Sequence, residues 1–339
     1  MGIIDTCLQQ PFNTLAELFD RAEEILKQNF ANNIYLYAPG MVNYETSYYK
    51  SSPFSFPAIS VTGRRCFLNC DHCGGKLLES MFSAESPNKL YTLMKRLVQK
   101  GAKGFLLSGG CNSQGYVPLE QFLPVVAKIK REVSIEVVVH CGLAPSHVAD
   151  ALAESGVDAV LLDIVGSDAT IKEVCHLDKC VDSFNHLLKT LSERSLPVVP
   201  HIVVGMHYGM MLGERYALAL ISKYRPAAVV IVALMPLEGT KMMHIAPPSP
   251  QDIARVMLAA RLTMPNIPIV LGCARPRGNH RVATDALAVR CGVNGITYPS
   301  ESLFHICTRR GIHLAFSEKC CGLIWRDISS SINRAEFSI

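Results

Sequence analysis

The chain has 339 residues, 49% hydrophobic and 18% charged, with a formal net charge of +4. That is too apolar for a disordered chain and ample for one large core. The charge is too small, and Lys and Arg too scattered, for a tract that follows nucleic acid or anionic lipid.

Residues 13–30 place Leu15, Leu18, Phe19, Ala22, Ile25 and Leu26 at helical spacing and predict an amphipathic helix. Residues 31–57, rich in Tyr, Ser and Pro, predict an irregular arm. From residue 58 a rhythm begins. Apolar runs fall at 58–62, 104–108, 135–141, 159–165, 198–204, 228–235, 268–272 and 295–298. Helical segments lie between and after them, near 87–100, 118–132, 145–155, 168–194, 211–224, 250–264, 279–291 and 301–311. Nearly continuous apolar runs are the mark of parallel strands buried on both faces. Eight strand–helix units predict an α/β fold: a (β/α)8 TIM-type barrel over 58–311, complete or nearly so. A doubly wound open sheet fits an unbroken rhythm less well. Residues 1–57 would form an N-terminal helix and arm, and 312–339 a C-terminal extension over the barrel mouth. The longest wholly apolar run, 227–235, is far short of a membrane span, and no basic-then-apolar leader is visible. A cytoplasmic chain with no membrane and no nucleic-acid partner is the expectation.

A barrel of this kind carries its chemistry at the C-terminal ends of its strands. There the sequence concentrates cysteines, glycines and polar residues. The chain has 13 cysteines, an odd number, so metal binding, catalysis or plain burial is favoured over a disulfide framework. The loop after the first barrel strand reads Cys66-Phe67-Leu68-Asn69-Cys70-Asp71-His72-Cys73. Three thiolates at this spacing can wrap one corner of an iron–sulfur cubane and leave the fourth iron open. Structural zinc, which wants four ligands, fits less well.

This motif, with His72 at the aromatic position before the last cysteine, resembles that of the radical S-adenosylmethionine (radical SAM) superfamily. The resemblance implies a [4Fe–4S] cluster on Cys66, Cys70 and Cys73, with S-adenosylmethionine on the open iron. The pair is used to make a 5′-deoxyadenosyl radical. By the same resemblance Phe67, His72, Gly109, Gly110, Asp163, Gly205, Met235 and Gly239 are cofactor-binding positions. Cys111 stands where the family often has Glu after the two glycines. Further stretches, including residues 34–76, Val165-Gly166 with His201, Leu271–Pro276 and Gly292–Gly295, resemble a biotin-synthase-related group. Within it the sequence looks closest to the two-subunit, archaeal-type lipoyl synthases. That implies sulfur insertion into an octanoylated carrier protein or peptide, a paralogous radical SAM subunit and a small redox protein as electron donor. The alternatives are a single-cluster radical SAM enzyme of mutase or methylase type, and a cluster-binding but non-catalytic subunit.

Sulfur insertion needs a sulfur atom beside the carbon radical, which in these relatives comes from a second, auxiliary Fe–S cluster. Cys111, Cys141, Cys273 and Cys320 are the candidate ligands, with Cys321 as substitute, because the first three end strands and the last follows the barrel. Cys273 and Arg275 are the candidate catalytic pair. Cys175, Cys180, Cys291 and Cys307 fall in helical segments and are expected to be buried structural residues.

Overall fold

The computed structural model describes residues 2–40 and 42–332. Its strands are β1 (Asn33–Tyr37), β2 (Ala58–Ser60), β3 (Phe82–Ser83), β4 (Gly104–Ser108), β5 (Glu136–His140), β6 (Ala159–Asp163), β7 (Val198–Val204), β8 (Val229–Ala233), β9 (Ile269–Leu271), β10 (Gly295–Thr297) and β11 (His313–Ser317). All pair in parallel, in the order β11-β1-β10-β9-β8-β7-β6-β5-β4-β2-β3. From β4 to β10 each strand lies beside its predecessor. There is no reversal of order, as a doubly wound sheet requires. The eight anticipated strands are β2 and β4 to β10. They curl into a TIM-type half-barrel with helices outside.

The eighth barrel strand does not close onto the first. β10 takes β1 as its neighbour, and β11 lies beyond β1. The anticipated arm therefore supplies a strand, and so does the C-terminal extension. Residues 51–57 lie between the curled edges. The buried Phe56 ring packs so tightly against β4 that a Cβ at Gly104 would collide with it. Lys103, just before β4, pairs with Glu318, just after β11 (2.9 Å).

The helices are α1 (Ile3–Gln9), α2 (Ala16–Phe30), α3 (Pro87–Gln99), α4 (Leu123–Glu132), α5 (Ser146–Ser155), α6 (Asp168–Glu173), α7 (Val181–Glu193), α8 (Glu214–Ile221), α9 (Pro250–Thr263), α10 (Asn279–Arg290), α11 (Ser302–Arg309) and α12 (Ile324–Ile332). The predicted 168–194 helix is broken between α6 and α7, where His176 adopts φ +54°. Cys175 and Cys180 therefore lie in a break and not within a helix. Cys180 is exposed, whereas Cys291 and Cys307 are buried as expected. Among the described residues no helix is long and apolar enough to cross a membrane.

Two cores result. One fills the space between sheet and helices. The other lies inside the barrel, where Tyr35, Tyr37, Val138, Leu161, Val199, Val230 and Val270 point inward. Cys320, Cys321, Leu323 and Ile324 pack among them. This corrects the expectation that the C-terminal extension covers the mouth. Lys319 pairs with Glu136 at the start of β5 (3.1 Å), and Arg326 with Asp158 just before β6 (2.6 Å). Asp327 accepts a hydrogen bond from Tyr37 Oη (2.8 Å). The extension enters from the N-terminal ends of the strands. Its apolar residues fill the otherwise open interior, and its cations meet acids at the strand starts. The end of the extension, residues 333–339, lies outside the described residues.

Candidate active site at the barrel mouth

The loop after β2 is shaped by its backbone. The Phe67 amide donates to the Cys111 carbonyl (2.8 Å), the Asp71 amide to that of Val174 (2.9 Å) and the Gly74 amide to that of Cys70 (2.7 Å). Asn69, at φ +46°, turns the chain between Cys66 and Cys70. The Gly110 amide donates to Thr62 Oγ1 (2.7 Å). Gly110 lies directly against the loop, because a Cβ there would sit 2.5 Å from Cys66 Cα.

These contacts bring Cys66, Cys70 and Cys73 onto one loop, with the Cys70 and Cys73 thiols in hydrogen-bonding contact. Cys70 also donates to the Cys175 carbonyl (3.6 Å). A side-chain hydrogen bond with Cys175, and then burial, push the Cys70 thiol up, while its bond with Cys73 works the other way. Its bond with Cys70, and then burial, pushes Cys73 up to about 12. Left alone both stay protonated, whereas a bound metal deprotonates a coordinating thiol outright. His72 packs beside Cys73, and its Nδ1 is buried without a hydrogen-bond partner. Phe67 is 72% exposed at the rim.

Across the mouth, Asp163 ends β6, with His140 Nε2 3.6 Å from its carboxylate. Burial works against its charge, but His140, His201 and His72 hold its pKa at about 2. The side chain is nonetheless 42% accessible, because it faces the hollow inside the barrel. His201, whose ring lies 5.9 Å from that of His140, has its pKa lowered by burial to about 4. Its Nδ1 lies 3.0 Å from the Val199 carbonyl. That bond fixes Nδ1 as the protonated nitrogen and leaves Nε2 an acceptor.

The remaining predicted positions follow. The Gly205 amide donates to the buried Glu214 carboxylate (2.8 Å), which ties the loop after β7 to α8. Met235 is half-buried just after β8, and Gly239, in the same loop, faces Lys76 of the segment after Cys73.

The four auxiliary candidates fall in two groups. Cys111 lies near Cys66, Cys73 and Cys141, with its Sγ close to Gly142. Cys273 lies instead near Cys321, and Tyr298 has Cys273, Cys321 and Cys320 as neighbours. Burial raises Cys111 and Cys141 to about 12 and Cys273 to about 11. The Cys273 side chain has accessible surface although protein encloses it, so it too faces the hollow. Among the described residues no three His, Cys, Asp or Glu side chains close on a single ion. The ligands of a multi-iron cluster sit farther apart.

Arg275 is not placed to touch a substrate. It is 0% exposed, and its guanidinium donates to Asp285 (2.8 Å) and to the carbonyls of Gly272, Thr297 and Tyr298. Its role is to hold the loop after β9 against β10, which corrects the catalytic assignment. Sequence reasoning missed Asp71. It is 5% exposed between two cluster cysteines and accepts from His176, Tyr208 and Lys241. An acid inside the cysteine motif was the available signal.

Residues 60–211 match the family model of the radical SAM superfamily. The chain carries a radical SAM domain. Residues 231–316 match the Biotin and Thiamin Synthesis associated domain. The chain is 23% identical over 257 residues to biotin synthase of Acidovorax ebreus (strain TPSY), covering 72% of this chain and 70% of the relative. Biotin synthase of Rickettsia felis is 24% identical over 296 residues, 84% and 92% of the two chains. The crystal structure of methylornithine synthase shares the fold, with a TM-score of 0.62 and 15% identity, over 96% of this chain and all of that one.

The residues present fit the group this superfamily carries. Three thiols on one loop, an orphaned His72 nitrogen beside one of them and a glycine surface at Gly110 are the features of such a site. Cys66, Cys70 and Cys73 would hold the cluster. Together with S-adenosylmethionine it would supply a 5′-deoxyadenosyl radical for hydrogen abstraction. Asp163, below its usual range, can accept from hydroxyl groups in the hollow, and His201 Nε2 can do the same.

Proposed function

We propose that this radical SAM enzyme inserts sulfur into unactivated C–H bonds, as a lipoyl-synthase-like sulfurtransferase. The supporting observation is the Cys273 thiol facing the barrel hollow with Cys321 and Cys320 nearby. Asp163 lines the hollow as well. The biotin synthase relatives support sulfur chemistry at this site. In this proposal Cys273 with Cys320 or Cys321 holds the auxiliary cluster that donates sulfur. Cys111 and Cys141, on the cluster-loop side, complete the candidate set. The substrate is an octanoylated lipoyl-carrier protein or peptide. A paralogous radical SAM subunit shares the work, and a small redox protein supplies the electron.

The test is anaerobic reconstitution and iron counting, beside a variant with Cys66, Cys70 and Cys73 all changed to Ala. About eight irons per chain, with about four left in the variant, is the expected result for two cubanes. Incubation with octanoyl-lysine peptide, or with the sulfur-free precursor of biotin, should then give a sulfur-bearing product with only one of them. Product from the biotin precursor alone would replace the lipoyl substrate. About four irons, with none left in the variant, would sink sulfur insertion. A single-cluster mutase or methylase would then remain.

A further inference from the structure

The Cys70–Cys73 segment carries a carboxylate that the cluster does not use. Asp71 Oδ1 lies 2.6 Å from His176 Nε2 and 2.8 Å from Lys241 Nζ, and its Oδ2 accepts from Tyr208 Oη at 2.8 Å. These partners come from three places: the break between α6 and α7, the loop after β7 and the loop after β8. Two of them, His176 and Tyr208, are non-glycine residues in the left-handed region, at φ +54° and +50°. Such conformations persist only where the surroundings over-determine them. Both converge on one carboxylate. The loop after β8 also carries Met235 and Gly239, and the loop after β7 begins at Gly205.

We infer that Asp71 is a positioning residue that locks Cys70 and Cys73 to the loops after β7 and β8, so that cluster geometry and S-adenosylmethionine binding are set by one clamp. The inference rests on the assignment of the cluster to Cys66, Cys70 and Cys73. Asp71 touches neither cofactor nor substrate; it acts through the two cysteines on either side of it. A buried carboxylate with three donors is well suited to this. Removing it leaves those donors unmatched and the loop free to shift.

The experiment uses the anaerobically reconstituted full chain. Iron per chain, the electron paramagnetic resonance (EPR) spectrum of the reduced cluster with and without S-adenosylmethionine, and the KM for S-adenosylmethionine in 5′-deoxyadenosine formation are measured for four proteins. These are the wild type, Asp71→Ala, Tyr208→Phe and Lys241→Met. Asp71→Ala should keep the iron of the cysteine loop. It should raise KM roughly tenfold and change the spectral response to S-adenosylmethionine. Tyr208→Phe should raise KM roughly threefold. Lys241→Met should do least, because the Lys241 side chain is largely exposed and such pairs contribute little. Wild-type KM and spectra in both Asp71→Ala and Tyr208→Phe would overturn the clamp. If Asp71→Ala does not fold, the milder Tyr208→Phe decides alone: wild-type values overturn the clamp and a raised KM supports it. Wild-type iron content in the variant with Cys66, Cys70 and Cys73 changed to Ala would overturn the cluster assignment itself, a separate failure.

Discussion

At Gly110 a single methyl group decides whether the cysteine loop fits. The added Cβ would press on the Arg65 carbonyl oxygen and on Cys66 Cα. The loop would have to move away from β4 and take Cys66 with it. Gly110→Ala should therefore lose most of its iron on reconstitution while its thermal midpoint falls by only a few degrees, because the clash falls on Arg65 and Cys66, which belong to neither main core. Wild-type iron content in that variant would show that the loop tolerates the shift. The cysteine spacing and the two glycines were visible in the sequence because their chemistry is local. The function of Arg275 was not. A polar residue just past a strand end can face the mouth or turn back into the wall, and periodicity does not distinguish the two. Its carbonyl partners, Gly272, Thr297 and Tyr298, come from two separate stretches of chain.

At the scale of elements, that arginine joins three pieces of structure. Its partner Asp285 lies in α10 and also accepts from the Ser300 amide (2.6 Å), so one ion pair ties the loop after β9 to α10 and to the loop after β10. Both side chains are fully buried. Asp285→Asn leaves the guanidinium without its counter-charge and should cost about 3–5 kcal/mol in chemical denaturation. A loss below about 1 kcal/mol would mean that water reaches the site. The eight strand–helix units were legible because each run is apolar, of strand length and separated by a helical pattern. Two elements were not. β1 is only five residues, Asn33–Tyr37, beside a stretch dominated by Tyr, Ser and Pro, so it read as arm. The break between α6 and α7 contains neither Gly nor Pro. It exists because Val174, Cys175 and His176 are engaged by Asp71 and Cys70, a tertiary cause that local propensity does not reveal.

For the molecule as a whole, the C-terminal segment is as much part of the barrel as the strands are. Leu323 and Ile324 fill its interior, and Lys319 and Arg326 fasten the segment to the starts of β5 and β6. Removing the residues after Ser317 should expose Tyr37, Leu161, Val230 and Val270 to water. The shortened chain should bind a hydrophobic dye and aggregate at temperatures the full chain survives. If it stays monomeric and dye-free, the segment is dispensable packing. That it enters from the end opposite the mouth was not readable from sequence. Its alternation of apolar and basic residues suits either end, and the choice is made by Glu136 and Asp158, acids far away in the chain.

The placement of β1 has a consequence for how the protein is made. Its two neighbours are β10 and β11, so β1 has no hydrogen-bonding partner until almost the whole barrel has emerged. Through most of translation its edges and its apolar Ile34 and Leu36 stay unmatched, an invitation to mispairing. The middle strands, β4 to β9, meet their partners in order as they appear. Bringing β1 in between β10 and β11 over such long sequence separation is the slow step that topology imposes. A chaperone that shields a nascent chain would find its use here, at the tyrosine-rich strand near the start.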